Sequence, residues 1–381
     1  MAHESDRSPL LLAVNGGSSS IKYALFDAAA DPRKLGGGTA ADLDPADAAG
    51  AADRVLQEVA ALADLQRIAA VGHRIVHGGP HLLEHQLITD ALLAELRRVQ
   101  PIDLPHLPRE IALVNAFRAA LPQPLQAACF DTVFFRDLPP VAQRLAIPRR
   151  FADRGVRRYG FHGLSYTYLQ QALAHSAGDS AAQGRVILAH LGAGASLAAL
   201  QGGRPIDTTM AFTPLAGLVM ATRPGDIDPG LLLYLLRSEH MSPEVAEHFF
   251  STQCGMVGIS GSTGDMQALL EKRGRDPAAA EAVESFCYAA RKSIGSFAAA
   301  LGGLDTLVFS GGIGEHAAAL RAEICAGLEF LGLTLDPAAN AGHAPLISAP
   351  SSRVSVRVIP TNEELVMARI LAGLLTNRSA S

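Results

Sequence analysis

The chain has 381 residues, 49% of them hydrophobic and 18% charged, with a formal net charge of -5. Such a length exceeds one core and calls for two domains. The slight acidic excess excludes a general attraction to nucleic acid or an anionic membrane and leaves a small molecule as the expected partner. Four cysteines, Cys129, Cys254, Cys287 and Cys325, form no Cys-x-x-Cys pair, so neither a disulfide framework nor a zinc site is indicated and a reducing cytosol is expected.

Residues 1–9 are polar and read as a disordered tail, and the apolar run after them, 10–14, is far too short for a signal-peptide core or a membrane span. Val14-Asn15-Gly16-Gly17-Ser18-Ser19-Ser20-Ile21-Lys22 then places a small-residue turn between two strand-like runs. Glycines let backbone N–H groups approach an anion, the hydroxyls of Ser18 and Ser20 add donors, and Lys22 supplies a point charge. It is not a Walker loop, since Gly-Lys-Ser/Thr is missing and a strand follows; a plain tight hairpin is the other reading. Residues 28–53, rich in Ala, Gly and Asp, read as a loop or insertion.

Helical spacing over 55–64, a strand over 68–76 and a helix over 90–99 indicate an α/β class. Gly72-His73-Arg74-Ile75-Val76-His77-Gly78-Gly79 invites a zinc reading for His73 and His77, but Ile75 and Val76 favour a strand, where four residues span about 13 Å, too far for two ligands of one metal. Arg74 is suited to gripping a carboxylate or phosphate, or to a structural ion pair. Phe130-Asp131-Thr132 ends a strand with an acid, and Tyr159-Gly160-Phe161-His162-Gly163 holds a histidine in a turn.

A helix over 165–174 precedes a second strand, small-residue turn and strand over 185–200, with Gly192-Ala193-Gly194 at the turn. Two such copies suggest an internal duplication. Thr222-Arg223-Pro224-Gly225-Asp226 is a charged turn; helices follow over 229–238, 243–250 and 277–301, the last burying Phe286, Ala290, Ile294 and Phe297 on one face. After a strand over 306–309, Ser310-Gly311-Gly312-Ile313-Gly314-Glu315 opens a helix expected over 317–328, a natural nucleotide seat. Gly312, Gly314 and Ala317 also fit a degenerate dinucleotide fingerprint, but too little chain follows for a doubly wound domain. A strand over 354–359 and a helix over 363–375, capped by Asn362 or Thr361, close the chain.

The two phosphate hairpins, the strand-ending aspartate, the Gly-Gly helix opening and the acidic last turn follow the order of duplicated actin, Hsp70 and hexokinase-like folds. The motifs at 14–22, 72–79, 157–163, 212–215, 222–226 and 360–365 resemble acetate kinases over about 11–371. The resemblance implies two duplicated ribonuclease-H-like (actin-like ATPase) α/β domains with a nucleotide cleft between them. The first would span 1–132, completed by about 364–381, and the second 133–363. It implies reversible transfer of the ATP γ-phosphoryl group to acetate, in the cytoplasm, by a homodimer joined through the C-terminal domain.

Residue by residue, the same resemblance implies that Arg74 and Arg223 hold the carboxylate and the transferring phosphoryl, and that His162 donates to its equatorial oxygens. Asp131 would act near the reacting centre, either as the family's nominal acid/base or by ordering Arg223 and metal-bound water. Asn15 and Glu363 would support Mg²⁺, with Mn²⁺ as a substitute. Val76, Pro105, His106, Phe161 and Pro214 would line the acetate pocket. Ser18, Ser20, Lys22, His190, Leu191, Gly192, Ala193, Gly194, Asp265, Met266, Gln267, Gly312, Ile313, Gly314, Glu315 and His316 would contact ATP or ADP. The chain departs from the family pattern at Pro105, Leu107, Phe135, Tyr166, Ala193 and His316, which bears on nucleotide grip more than on the reaction. A propionate or other short-chain acyl kinase, a kinase with another phosphoryl donor, and a non-catalytic nucleotide switch are the competing readings; a sugar kinase would not call for two arginines.

Overall fold

The computed structural model describes residues 8–17, 20–44 and 46–379, so Ser18 and residues 1–7 of the expected tail lie outside it. Ser8 and Pro9 are tied down: the Pro9 carbonyl accepts from the Ala28 N–H at 3.2 Å and the Ser8 carbonyl from Arg67 Nη2 at 3.1 Å.

The chain divides into two compact units, one of residues 1–136, 163–168 and 362–381, the other of residues 137–162 and 169–361. In the first, β1 (Leu10–Gly16), β2 (Ile21–Asp27), β3 (Lys34–Ala40), β4 (Ile68–Ile75), β5 (Gln86–Leu87) and β6 (Leu125–Phe130) form a sheet of order β3-β2-β1-β4-β6-β5. In the second, β7 (Arg185–Leu191), β8 (Ala195–Gln201), β9 (Arg204–Thr208), β10 (Thr306–Ser310) and β11 (Ser355–Val358) give the order β11-β10-β7-β8-β9. Read from the edge, β3-β2-β1-β4-β6 and β9-β8-β7-β10-β11 are the same arrangement. Each has two antiparallel hairpin pairings followed by two parallel ones. The duplication expected from two glycine turns is therefore a duplication of whole sheets.

β1 is apolar along nearly its whole length because both faces of its sheet are covered. Leu10, Leu12 and Val14 pack with Val55 and Val59 of the helix Ala48–Ala60. Leu11 and Ala13 point the other way, onto Met367 and Leu371 of the helix Glu363–Ser379. The C-terminal helix is thus part of the first unit's core, and the Asn362 side chain caps it, Oδ1 accepting from the Leu365 N–H at 3.0 Å.

Two expectations are corrected. Residues 28–53 are not simply a loop, for β3 and the start of the helix Ala48–Ala60 lie within them. The glycine-rich Leu35-Gly36-Gly37-Gly38 has little strand propensity of its own, and pairing with β2 supplies what propensity does not. The helix expected over 317–328 begins earlier and is broken: Gly311–His316 is helical, and Ala318–Cys325 resumes after Ala317. Arg321, fully buried, holds the break. Its Nη1 donates to the carbonyls of Gly314 and Glu315 at 2.8 and 2.9 Å, and its Nε and Nη2 donate to the side-chain and backbone oxygens of Asn340, both at 2.8 Å.

Candidate active site

In the first unit, parallel pairing of β4 with β6 brings Arg74, one residue from the end of β4, beside Asp131, the residue after β6. Ligands of open α/β sheets bind beyond such strand ends. Arg74 donates to Asp131 Oδ2 from Nη2 at 2.6 Å and from Nε at 3.0 Å. A further bond runs from its Nη1 to Asn15 Oδ1 at 3.1 Å. Asn15, at the end of β1, turns its amide nitrogen to Glu363 Oε2 at 2.8 Å. Glu363 in turn lies 3.8 Å from Arg74 Nη1. Three strand or helix ends therefore meet in one cation and two acids.

Burial pulls the Arg74 guanidinium down, but Asp131 and Glu363 together hold it above its ordinary value, so it stays charged. Burial pushes the Asp131 carboxyl up, and Glu363 adds to this while Arg74 opposes it. Asp131 Oδ1 is buried with no hydrogen-bond partner among the described residues. The carboxylate oxygens of Asp131 and Glu363 are of the hard kind that a hydrated magnesium ion accepts, while Asn15 Oδ1 is already taken by Arg74.

Around this centre, Val76 is buried, and its N–H donates to both oxygens of Glu110 at 3.1 and 3.2 Å. Burial raises the Glu110 carboxyl well above the usual range, with Asp103 adding to it. Pro105 and His106 are half-buried, and His106 Nδ1 lies 2.7 Å from the buried Asp103. His73 is buried against Gln126 Oε1 at 2.7 Å and burial depresses it to about 4, while His77 Nδ1 accepts from the Gly79 N–H at 2.8 Å. Ser20 is half-buried and Lys22 exposed near the first hairpin turn.

In the second unit, His162 adopts a left-handed backbone, φ 60°, and heads the helix Gly163–Ala177. Its Nδ1 lies 2.8 Å from Ser196 Oγ, and its ring stacks on His190 with centroids 4.4 Å apart. Its Nε2 faces Gly194. Phe161 and Pro214 are buried, and the Pro214 carbonyl accepts from Arg223 Nη1 at 2.9 Å.

The backbone around Arg223 is pinned on several sides. The Ala221 N–H donates to the Ala193 carbonyl at 3.0 Å, tying the loop to the tip of the second glycine hairpin, and the Cys254 N–H donates to the Thr222 carbonyl at 3.0 Å. Gly255, at φ 64°, passes so close that a Cβ there would stand 2.5 Å from the Arg223 carbonyl. Only glycine fits that position.

The remaining expected nucleotide contacts are dispersed among local duties. Ala193 is exposed at the hairpin tip, flanked by half-buried Gly192 and Gly194, and Leu191 is buried beneath it. Asp265 caps the helix Met266–Lys272 through the Ala268 N–H at 2.8 Å, Met266 is core, and Gln267 Nε2 reaches Glu271 at 3.4 Å. Gly312 is exposed, Ile313 half-buried and Gly314 buried, while Glu315 accepts from the Gly311 N–H at 2.9 Å. His316 is exposed, 6.5 Å from the ring of His343.

Sequence reasoning missed Ser196, Glu110 and Gly255, because a serine inside a strand, a glutamate on a helix and a glycine at a helix start carry no local signal of what they face. It also treated Phe135 and Tyr166 as separate departures from the family pattern. The two rings pack edge to face, 5.7 Å apart and both buried.

A model described as the acetokinase family matches residues 33–369. An acetate kinase of Nitrobacter hamburgensis is 45% identical, over 97% of this chain and 97% of its own length. One of Rhodopseudomonas palustris is 43% identical over 95% and 97%. Among solved structures, an acetate kinase of Porphyromonas gingivalis is similar with a TM-score of 0.86 and 32% identity, covering 97% of this chain and 100% of that one. A propionate kinase of Francisella tularensis has a TM-score of 0.86 and 31% identity over 95% and 98%.

A Cβ on Gly194 would lie 2.6 Å from Arg223 Nη2, the far end of a flexible side chain. Gly194→Ala is therefore expected to cost little stability but to displace the guanidinium, lowering turnover by on the order of 10²-fold. Thermal melting and steady-state kinetics on the same preparation check both halves.

Proposed function

Since the chain belongs to the acetokinase family, we propose that it transfers the γ-phosphoryl group of ATP reversibly to acetate, giving acetyl phosphate and ADP in one in-line step. A carboxylate oxygen forms the new bond to phosphorus, and the bond to the β,γ-bridging oxygen breaks with its electron pair leaving on ADP. Acetate is already ionised at neutral pH, so no general base is required. What the reaction demands is neutralisation of two anions and of the charge spread over the equatorial oxygens.

The observation that carries this reading is the crowding of Arg223 and His162 against Gly194 at the second hairpin. A fixed guanidinium and an imidazole nitrogen converge there on one small-residue turn. In this reading Arg223 and His162 Nε2 act on the transferring phosphoryl and Arg74, steadied by Asp131, holds the carboxylate. Val76, Pro105, His106, Phe161 and Pro214 shape the acyl pocket. Asp131 acts through Arg74, its bonded partner, rather than as a proton acceptor. Asn15, Glu363 and Asp131 would hold Mg²⁺, which when bound neutralises phosphate charge and orients the nucleotide. The two units are read as the two domains, the first closed by the C-terminal helix. A cytoplasmic setting accords with four free cysteines. No helix among the described residues is long and apolar enough to cross a membrane.

A propionate acceptor is the second reading, supported by the likeness to a propionate kinase; one methylene in an apolar pocket separates the two by only about 1 to 3 kcal/mol. Hydroxamate trapping of the acyl phosphate, run with acetate, propionate and butyrate and with ATP, GTP and pyrophosphate, tests both. Absence of any acyl phosphate would leave a nucleotide switch.

Arg223→Ala is expected to lower kcat by on the order of 10² to 10³ with a much smaller change in KM for ATP, because its charge serves the transition state. A variant with near-parental kcat removes Arg223 from the mechanism. Ala193→Asn is expected to lower KM for ATP about tenfold, as an amide at the exposed hairpin tip gains a hydrogen bond to a charged phosphate. Unchanged KM would sink the idea that Ala193 weakens the grip.

The helix Pro229–Ser238 supports a homodimer. None of its residues is buried, and Leu231, Leu233 and Tyr234 are 42%, 49% and 56% exposed. An apolar helix left in water marks an interface, and a second copy of the C-terminal unit is the proposed occupant. Sedimentation at micromolar concentration should give a dimer for the parent and a monomer for Leu233→Asp; a monomeric parent overturns the assignment.

A further inference from the structure

The helix Leu107–Ala120 turns Leu107, Glu110, Ile111, Val114 and Phe117 inward. All but one of these are apolar at helical spacing, and the exception is an acid. A carboxyl on a core face is costly unless it is hydrogen-bonded. Both Glu110 oxygens accept from a single group, the Val76 N–H, at 3.2 and 3.1 Å.

Val76 stands where the sheet has stopped supporting the chain. The ladder of β4 with β1 ends at His73 and the ladder with β6 at Ile75, so Val76 lies one residue beyond the last strand pairing. Its side chain is buried, yet its N–H has no strand to bond. Glu110 supplies the acceptor. The Glu110 N–H also donates to the His106 carbonyl at 3.1 Å, closing the first turn of the helix, so both Val76 and His106 are tied to this one residue. Burial favours the neutral form of the Glu110 carboxyl, and Asp103, itself buried with Oδ2 lacking a hydrogen-bond partner among the described residues, favours it further. Glu110 can thus hold Val76 without setting another full negative charge near Arg74.

We propose that Glu110 is a positioning residue that determines acceptor specificity: by holding the backbone of Val76 beyond the end of β4, it fixes the wall that the Val76 side chain presents to the acyl group. This rests on the reading above that Val76 shapes the acyl pocket.

The test is the ratio of kcat/KM for acetate to that for propionate. One methylene in an apolar pocket commands about 10- to 200-fold, and a wall that gives way should return part of it, so Glu110→Leu, which offers no acceptor, should lower the ratio by about fivefold or more. Glu110→Gln keeps an acceptor oxygen and matches the neutral acid in shape; its ratio should stay within about twofold of the parental one. Amide exchange at Val76 should quicken in the Leu variant and not in the Gln variant. Should Glu110→Leu fail to fold, Glu110→Asp, which draws the acid back by one methylene, takes its place with the same expectation. A role in stability alone would lower kcat/KM for both acceptors together and leave the ratio at its parental value; that outcome, or a Gln variant as altered as the Leu one, overturns the proposal. Val76→Ala is run beside them. If it shifts the ratio while Glu110→Leu does not, the proposal fails and the pocket reading stands; if it leaves the ratio unchanged, the pocket reading of Val76 fails and takes the proposal with it.

Discussion

The pair between Arg74 and Asp131 is the interaction around which the polar centre of the first unit is built. A guanidinium that is to meet an anion must be in place before the anion arrives, since side-chain ordering at the moment of binding would be subtracted from affinity. Asp131 takes two of its N–H groups and Asn15 a third. Taking such a pair out of water is costly, and breaking it by removing one partner is costlier, because a lone buried charge remains. The parallel pairing of β4 with β6 is what makes the arrangement possible: it delivers Arg74 and Asp131 to the same edge without any loop having to fold precisely.

The second unit repeats the sheet but not the chemistry. Its hairpin carries Gly192-Ala193-Gly194 where the first carries glycines and serines, and Arg223 comes from a long loop instead of a strand. That loop has no regular structure to hold it, and hydrogen bonds to Ala193 and from Cys254, with the close passage of Gly255, take the place of a ladder. Duplication thus supplied two equivalent scaffolds, and local packing gave one a cation held by Asp131 and Asn15 and the other a cation set against a glycine hairpin.

Much of the architecture was legible because strong local patterns were present. The helices Asp90–Val99, Pro229–Ser238 and Pro277–Leu301 have the bounds that spacing and caps predict. β3 was not legible, since its stability comes from β2 and not from its own glycines. The broken helix after β10 was hidden for a related reason: the bonds that start and stop it come from Glu315 and Arg321, whose partners cannot be seen in a one-dimensional pattern.

The sequence by itself determined the α/β class, the two glycine hairpins, the family and the identity of the charged groups, because these are properties of residue type and spacing. Only the tertiary structure decided which group each of them faces. Asp131 serves Arg74, Ser196 orients His162, Gly194 admits Arg223, and Glu315 is turned onto Gly311 and Thr361. Several of these pairs lie more than 30 residues apart along the chain, and a hydrogen bond acts over about 3 Å. The partner is therefore chosen by the fold that closes that separation, not by anything written next to the residue.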